Sequence, residues 1–207
     1  MKPGTYHGVA IENRCLVFEN SKSYVFSDHI VDGSALDVPD YLVVVPRASR
    51  PNLISGVTVI LIQEGRVVLR KVHRHAVSAA LLEATRGFVD EDEEPPAAAL
   101  RELPEDTGLT CSSQNLRSLG FCAPTQESLR ARIALFVALD CSLAGDPDEN
   151  ELGLGELVSI SLEDAERVVR EMSLEESTTC IAMHRFLLMA QSDAGMRGEA
   201  AWASADI

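Results

Sequence analysis

The sequence predicts an α/β fold built on mixed sheets. Apolar runs with strand character recur along most of the chain, helical patterns are interleaved with them in mixed order, and no internal repeat or Gly-rich strand-to-helix turn of the dinucleotide-binding kind occurs. At 207 residues the chain can form one substantial domain, or a compact domain with a small appended one.

The elements follow in order. From Arg14 to about Val45, short β-rich runs (CLVFE, SYVFSDHIV, YLVVV) alternate with the turn pairs Asn20-Ser21 and Asp32-Gly33, which predicts a small antiparallel unit within residues 1–50. Pro46 to Pro51 reads as a linker. GVTVILI, the turn QEGR and VVLRKV then predict a long β-hairpin, placed at the edge of a main domain over residues 51–190. Leu81 to Phe88 reads as a strand and loop entering a helix. Beyond that helix come a strand near Leu116 to Phe121, a loop at Pro124, the strand ARIALFVALD, an acidic loop from Ala144 to Gly155, and the strand ELVSISL. Ser161 to Asp164 resembles a capping box opening a helix to about Met172, and a last helix is expected from about Ser177 to Ala190. Residues 191–207 are small, polar and aperiodic, so a flexible tail is expected there.

Composition narrows the function. Eighteen Lys and Arg against 32 Asp and Glu give a net charge of −14, and no basic cluster is present to neutralise a nucleic-acid backbone. No apolar run approaches the length of a membrane span, and no charged-then-apolar leader opens the chain. Cys15, Cys111, Cys122, Cys141 and Cys180 are odd in number, with neither C-x-x-C nor zinc spacing, so they read as reduced thiols of a soluble, cytoplasmic protein.

The densest chemistry lies in GFVDEDEEPPAAALRELPEDTGL, from Gly87 to Leu109. Pro95 and Pro96 suit a first helical turn, AAALREL is strongly helical, and Gly108 is a natural stop. Glu102, Glu105 and Asp106 fall at i, i+3 and i+4, so their carboxylates share a helical face that repels itself unless something cationic sits on it. Oxygen-only ligands of this kind favour Mg²⁺ or Mn²⁺, which bridge to substrate phosphates. Pro104 removes one helical hydrogen bond at a cost of about 3 kcal/mol in an interior position, and a kink is expected there.

This stretch resembles the Nudix box, G-x5-E-x7-R-E-U-x-E-E-x-G-U with U a bulky apolar residue. Gly87, Glu93, Arg101, Glu102, Leu103, Glu105, Gly108 and Leu109 match, and Asp106 stands where the last Glu is expected. The resemblance implies a Nudix α/β/α sandwich behind a β-rich N-terminal extension. The flanks are similar to those of ADP-ribose pyrophosphatases and nucleoside-diphosphate-sugar hydrolases. A strand ends at Arg74, and Glu83, Arg86 and Gly87 match E-x-P-R-G, with Thr85 in place of the proline. Pro124 lies where that group carries a proline, though Thr125 replaces the following glycine.

The resemblance implies roles. Glu102, Glu105 and Asp106 would hold Mg²⁺, or Mn²⁺ as second choice, with the Arg86 backbone carbonyl and Glu151. Glu149, in DENEL, would be the general base, and Arg101 would orient the acids. Arg74, Glu83, Gly87 and Phe88 would meet the substrate, a small nucleotide. The implied activity is metal-dependent pyrophosphate hydrolysis of ADP-ribose or a related nucleoside diphosphate sugar by a homodimer joined through the N-terminal unit. The alternative is a Nudix domain with weakened or lost hydrolysis that binds nucleotides or serves as an interaction module; Pro104, Asp106 and Thr85 favour it, Glu149 and Glu151 the enzyme.

Overall fold

A computed structural model of the protein describes residues 5–6, 8–33, 35–48, 52–148 and 152–192. The chain divides into two units, Met1–Ser55 with Ala123–Arg132, and Gly56–Cys122 with Ile133–Ile207.

The first unit is an antiparallel sheet in chain order: β1 (Thr5–Tyr6), β2 (Val9–Glu19), β3 (Ser23–Val31) and β4 (Asp37–Pro46). Both expected turns form. The Asn20 side-chain oxygen accepts from the N–H groups of Lys22 and Ser23, and Asp32 does the same for Leu36, so each side chain substitutes for a missing ladder partner. Inside the sheet Asp28 is 2 % exposed and takes both arms of Arg14, at 2.6 and 2.5 Å, while that guanidinium lies over the Phe26 ring. Residues 123–132 join this unit at β4, where Ser128 and Arg130 bond to Val44 and the Tyr41 hydroxyl donates to the Glu127 carbonyl. The Pro124 loop, read from the sequence as part of the main domain, therefore belongs to the first unit. Of the proposed linker, residues 49–51 lie outside the described residues.

The second unit carries a seven-stranded sheet. Its strands are β5 (Ile54–Gln63), β6 (Arg66–Arg74), β7 (Ala79–Glu83), β8 (Thr85–Phe88), β10 (Leu116–Cys122), β11 (Arg132–Ala138) and β13 (Leu154–Ile160). The order β10-β11-β5-β6-β13 corrects the expected position of the hairpin: β5 and β6 are central, not at an edge. The reason was present in the sequence, since β5 is buried at eight consecutive positions and a continuous apolar run marks a strand covered on both faces. Two-residue strands β9 (Leu109–Thr110) and β12 (Ser142–Leu143) form a separate pair.

Three helices complete the unit: α1 (Pro95–Thr107), α2 (Leu162–Arg170) and α3 (Ser177–Ser192). Ile60, Ile62, Leu135 and Val137 of the sheet build the core with Ala165 of α2 and Met183 and Phe186 of α3. Val59 and Leu61 alternate with Ile60 and Ile62, so they face the other side of the sheet, and they are fully buried too. Helix α1 packs on β8 and β9 and buries Ala98, Ala99 and Leu103, so the architecture is the expected α/β/α sandwich. Ser161 caps α2, its hydroxyl accepting from Asp164 N–H at 3.0 Å. Among the described residues no helix is long and apolar enough to cross a membrane. Most of the expected flexible tail, from residue 193 onward, lies outside the described residues.

Candidate active site

The segment from Ala79 to Phe88 crosses between two central strands. β7 pairs with the second half of β6 (Arg70 opposite Glu83), whereas β8 pairs with the first half of β5 (Thr58 opposite Arg86). Ala84, at the crossing, is buried between the two ladders; its N–H donates to the Thr179 hydroxyl of α3 at 3.0 Å. Glu83 and Arg86 are thereby fixed on either side of the crossing, and Gly87 and Phe88 lead from it toward α1.

Helix α1 begins at Pro95 after Glu94 as N-cap and runs unbroken through Pro104 to Thr107. The hydroxyl of Thr107 donates to the Leu103 carbonyl at 2.6 Å, and Gly108, with φ of 69°, closes the helix by donating to the Pro104 carbonyl at 3.0 Å. A β-carbon at Gly108 would also overlap the Gly145 carbonyl oxygen.

Arg101 organises the acids. Its guanidinium binds Glu93 twice at 3.0 Å, Glu102 at 2.7 Å, Glu105 at 3.0 Å and the Phe88 carbonyl at 2.9 Å. The Glu93 hydrogen bond leads the causes that raise the Arg101 pKa, against the opposing effect of burial. Glu93, matched in the box but given no role from the sequence, is thus half of the clamp. Asp106 reaches toward the crossing: its carboxylate accepts from the Arg86 N–H at 3.2 Å, and its own carbonyl accepts from Arg70. Among the described residues no three His, Cys, Asp or Glu side chains stand as a metal cage; the carboxylates of Glu93, Glu102 and Glu105 face Arg101.

The donor chemistry nevertheless fits a hard divalent cation. Three carboxylates on one guanidinium leave this group at a net charge of −2, and all donors are oxygens. Gly87 makes room for them, because a β-carbon there would overlap the Glu102 carboxylate. Beside the helix, Ala144 and Gly145 donate to the Gly108 carbonyl at 2.8 and 3.2 Å, and Asp148 N–H donates to the Glu105 carbonyl at 2.8 Å. The acidic loop is thus tied to the acid helix up to Asp148. Glu149 and Glu151 themselves lie outside the described residues.

Arg74 and Glu83 form one unit. Glu83 is 1 % exposed and accepts from Arg74 at 2.9 and 2.6 Å, with Arg86 Nε at 3.5 Å. The Glu83 carboxylate, expected from the sequence to meet the substrate, is enclosed by two arginines and holds them in place. Phe88 is 45 % exposed, so its ring is accessible.

Glu176 was missed in the sequence, where it reads as one more acid before a helix. It binds Arg86 Nη1 at 2.9 Å and caps α3 by accepting from the N–H groups of Thr178 and Thr179 at 3.2 and 2.7 Å and from both of their hydroxyls. Burial pushes its pKa up, but the Thr179 hydrogen bonds, Arg86 and Thr178 together outweigh that and leave it below the usual value. A lowered folded-state pKa contributes stability that is present above the unfolded pKa and lost as pH falls through the folded one. Glu176→Gln should therefore be about 1–2 kcal/mol less stable than wild type at pH 7, with the gap closing below about pH 4. Urea melts across pH 3–8 measure it; a gap independent of pH would remove the ionised cap.

Fold and site together define an α/β/α protein that carries an arginine-clamped acid helix. The chain belongs to the NUDIX domain family, whose sequence model matches residues 53–179. It is 26 % identical over 168 residues to the ADP-ribose pyrophosphatase of Bacillus subtilis (strain 168), covering 79 % of this chain and 88 % of that one. It is 30 % identical over 135 residues to the methanol dehydrogenase activator of Bacillus methanolicus, covering 62 % and 70 %. Among solved structures, one described as an ADP compounds hydrolase has the same fold, with a TM-score of 0.73 at 18 % identity over 94 % of this chain and 97 % of that one. Family and relatives support a Nudix hydrolase.

Proposed function

We propose that the protein hydrolyses the pyrophosphate bond of ADP-ribose or a related nucleoside diphosphate sugar, releasing a nucleoside monophosphate and a sugar phosphate. The observation that carries this reading is the acid helix held by Arg101 with the acidic loop tied to it at Asp148; the ADP-ribose pyrophosphatase relative supplies the substrate class. Glu102, Glu105 and Asp106, with the Arg86 carbonyl and Glu151, hold Mg²⁺ in this reading. An ion held there would supply Lewis-acid polarisation of the phosphoryl oxygens and a lowered pKa for bound water. Glu149 takes the proton of the attacking water. Arg101 keeps the carboxylates apart and oriented, Arg74 faces the substrate's phosphate or terminal sugar, and Gly87 and Phe88 line its path.

The test is an assay with Mg²⁺ and Mn²⁺ over ADP-ribose, nucleotide sugars and dinucleoside polyphosphates, beside Asp106→Glu and Glu149→Gln. Turnover of ADP-ribose or a nucleotide sugar, lost in Glu149→Gln, is expected. A second reading, a nucleotide-binding or interaction module with weakened hydrolysis, is supported by Asp106 and by the relative named as a methanol dehydrogenase activator. Absence of turnover on every substrate, unchanged by Asp106→Glu, selects it. In either reading the protein is a cytoplasmic homodimer joined through the first unit, whose sheet exposes Leu16, Val17, Phe18 and Leu42 at 50–58 %. A monomer mass in light scattering would remove the dimer.

A further inference from the structure

Two cysteines that the sequence shows as unrelated are brought face to face. Strands β9 and β12 pair with Thr110 opposite Ser142 and Leu109 opposite Leu143, so the next pair in register is Cys111 opposite Cys141. Facing residues of an antiparallel ladder have Cα atoms about 4.5–5.5 Å apart, within the range a disulfide spans. The two thiols are close enough to perturb each other's ionisation, and the Cys141 thiol donates to the Ala138 carbonyl at 3.5 Å. Both are reduced here, Cys111 half-buried and Cys141 buried.

We propose that Cys111 and Cys141 are an oxidisable pair that closes to a reversible disulfide on meeting a small-molecule disulfide such as oxidised glutathione. Their environments divide the roles. The neighbouring Cys141 thiol pulls the Cys111 thiol down, against burial and Asp140; the same proximity, with burial, pushes Cys141 up. The more accessible Cys111 is therefore the attacking thiolate. It bonds to one sulfur of the reagent, whose S–S bond breaks and releases one glutathione thiolate. Cys141, losing its proton to that thiolate, then attacks the Cys111 sulfur; the mixed disulfide breaks and the second glutathione leaves. Two protein thiols are oxidised and one reagent disulfide is reduced to two thiols.

The bridge lies at the base of the acid helix. Cys111 follows β9 just beyond the Gly108 cap, and Cys141 precedes β12, after which Ala144 and Gly145 donate to the Gly108 carbonyl and Asp148 to the Glu105 carbonyl of α1. Closure would brace those three hydrogen bonds and the start of the acidic loop.

The full chain is equilibrated in glutathione buffers of stepped ratio, alkylated and mapped by peptide mass spectrometry. A linked Cys111–Cys141 peptide that disappears on reduction is expected. Cys141→Ser should stop at glutathione on Cys111, and Cys111→Ser should leave Cys141 unmodified; alanine variants replace serine where the buried hydroxyl prevents folding. Amide exchange at Ala144, Gly145 and Asp148 should slow by about threefold or more on oxidation of the wild type, and not in the variants. Neither measurement needs a substrate, so failure of the proposed hydrolysis leaves the test intact. No link at the most oxidising ratio, a link through Cys122 or Cys180 instead, or unchanged exchange would overturn the inference.

Discussion

Glu102→Gln is expected to lower kcat/KM on the best nucleotide substrate by about 10³-fold, ~4 kcal/mol of transition-state stabilisation, while shifting Tm by less than about 4 °C. Two features make Glu102 the acid with the largest effect. Its side chain is 12 % exposed, whereas that of Glu105 is 49 % exposed, so Glu102 is the more desolvated and fixed donor. It is also the group against which Gly87 packs without a side chain. The amide keeps the volume and one acceptor oxygen for Arg101, and Arg101 keeps its two bonds to Glu93, so the fold loses about 1 kcal/mol. Steady-state kinetics, a calorimetric Mg²⁺ titration and a thermal melt on the same preparation separate the cases. Weakened Mg²⁺ binding with Tm preserved identifies a ligand. Wild-type turnover would remove Glu102 from the site, and a fall in Tm matching the fall in activity would make it structural.

The acid helix was legible in the sequence because its chemistry is local. Carboxylates three and four residues apart on a proline-started, glycine-stopped helix keep their relation wherever that helix packs, and the seat of Pro104 one turn from the end let the helix continue through it. Asp106 shows the limit. Spacing alone puts it with Glu102 and Glu105, but its carboxylate meets the Arg86 N–H, a partner supplied by β8. The crossing at Ala84 was not legible either, since it depends on β5 and β6 each exchanging partners midway, which no residue pattern between Leu81 and Phe88 announces. Glu176 is hidden for the same reason: its functional partner, Arg86, meets it only because α3 docks at that crossing through Thr178 and Thr179. The segment 123–132 joins the first unit by backbone bonds to Val44, an interaction without a side-chain signature.

Glu83→Ala is expected to cost about 2–3 kcal/mol, a fall in Tm of roughly 5–10 °C, and to reduce kcat/KM about 10²-fold. Removing one partner of a buried ion pair costs about 3–5 kcal/mol when the remaining charge stays buried. Here Arg74 and Arg86 are 27 % and 36 % exposed, so both can turn partly toward water, and the penalty is smaller. That relief is what harms function. Glu83 grips Arg74 with two bonds at 2.9 and 2.6 Å, whereas it stands 3.5 Å from Arg86, which keeps Glu176 at 2.9 Å. The loss should therefore appear mainly in what Arg74 does, as a raised KM for phosphate-bearing substrate, with kcat falling less. Glu83→Gln discriminates further: its oxygen can accept one Arg74 bond, but its amide group presents N–H donors to guanidinium donors, so it should lie between wild type and alanine in both Tm and KM. A direct substrate contact predicts a different order, with KM raised equally in both variants and Tm unchanged in the isosteric one. Wild-type Tm in Glu83→Ala would mean that the desolvation of this carboxylate already cancels its two bonds to Arg74, and the positioning role would then have to be carried by Glu176 through Arg86.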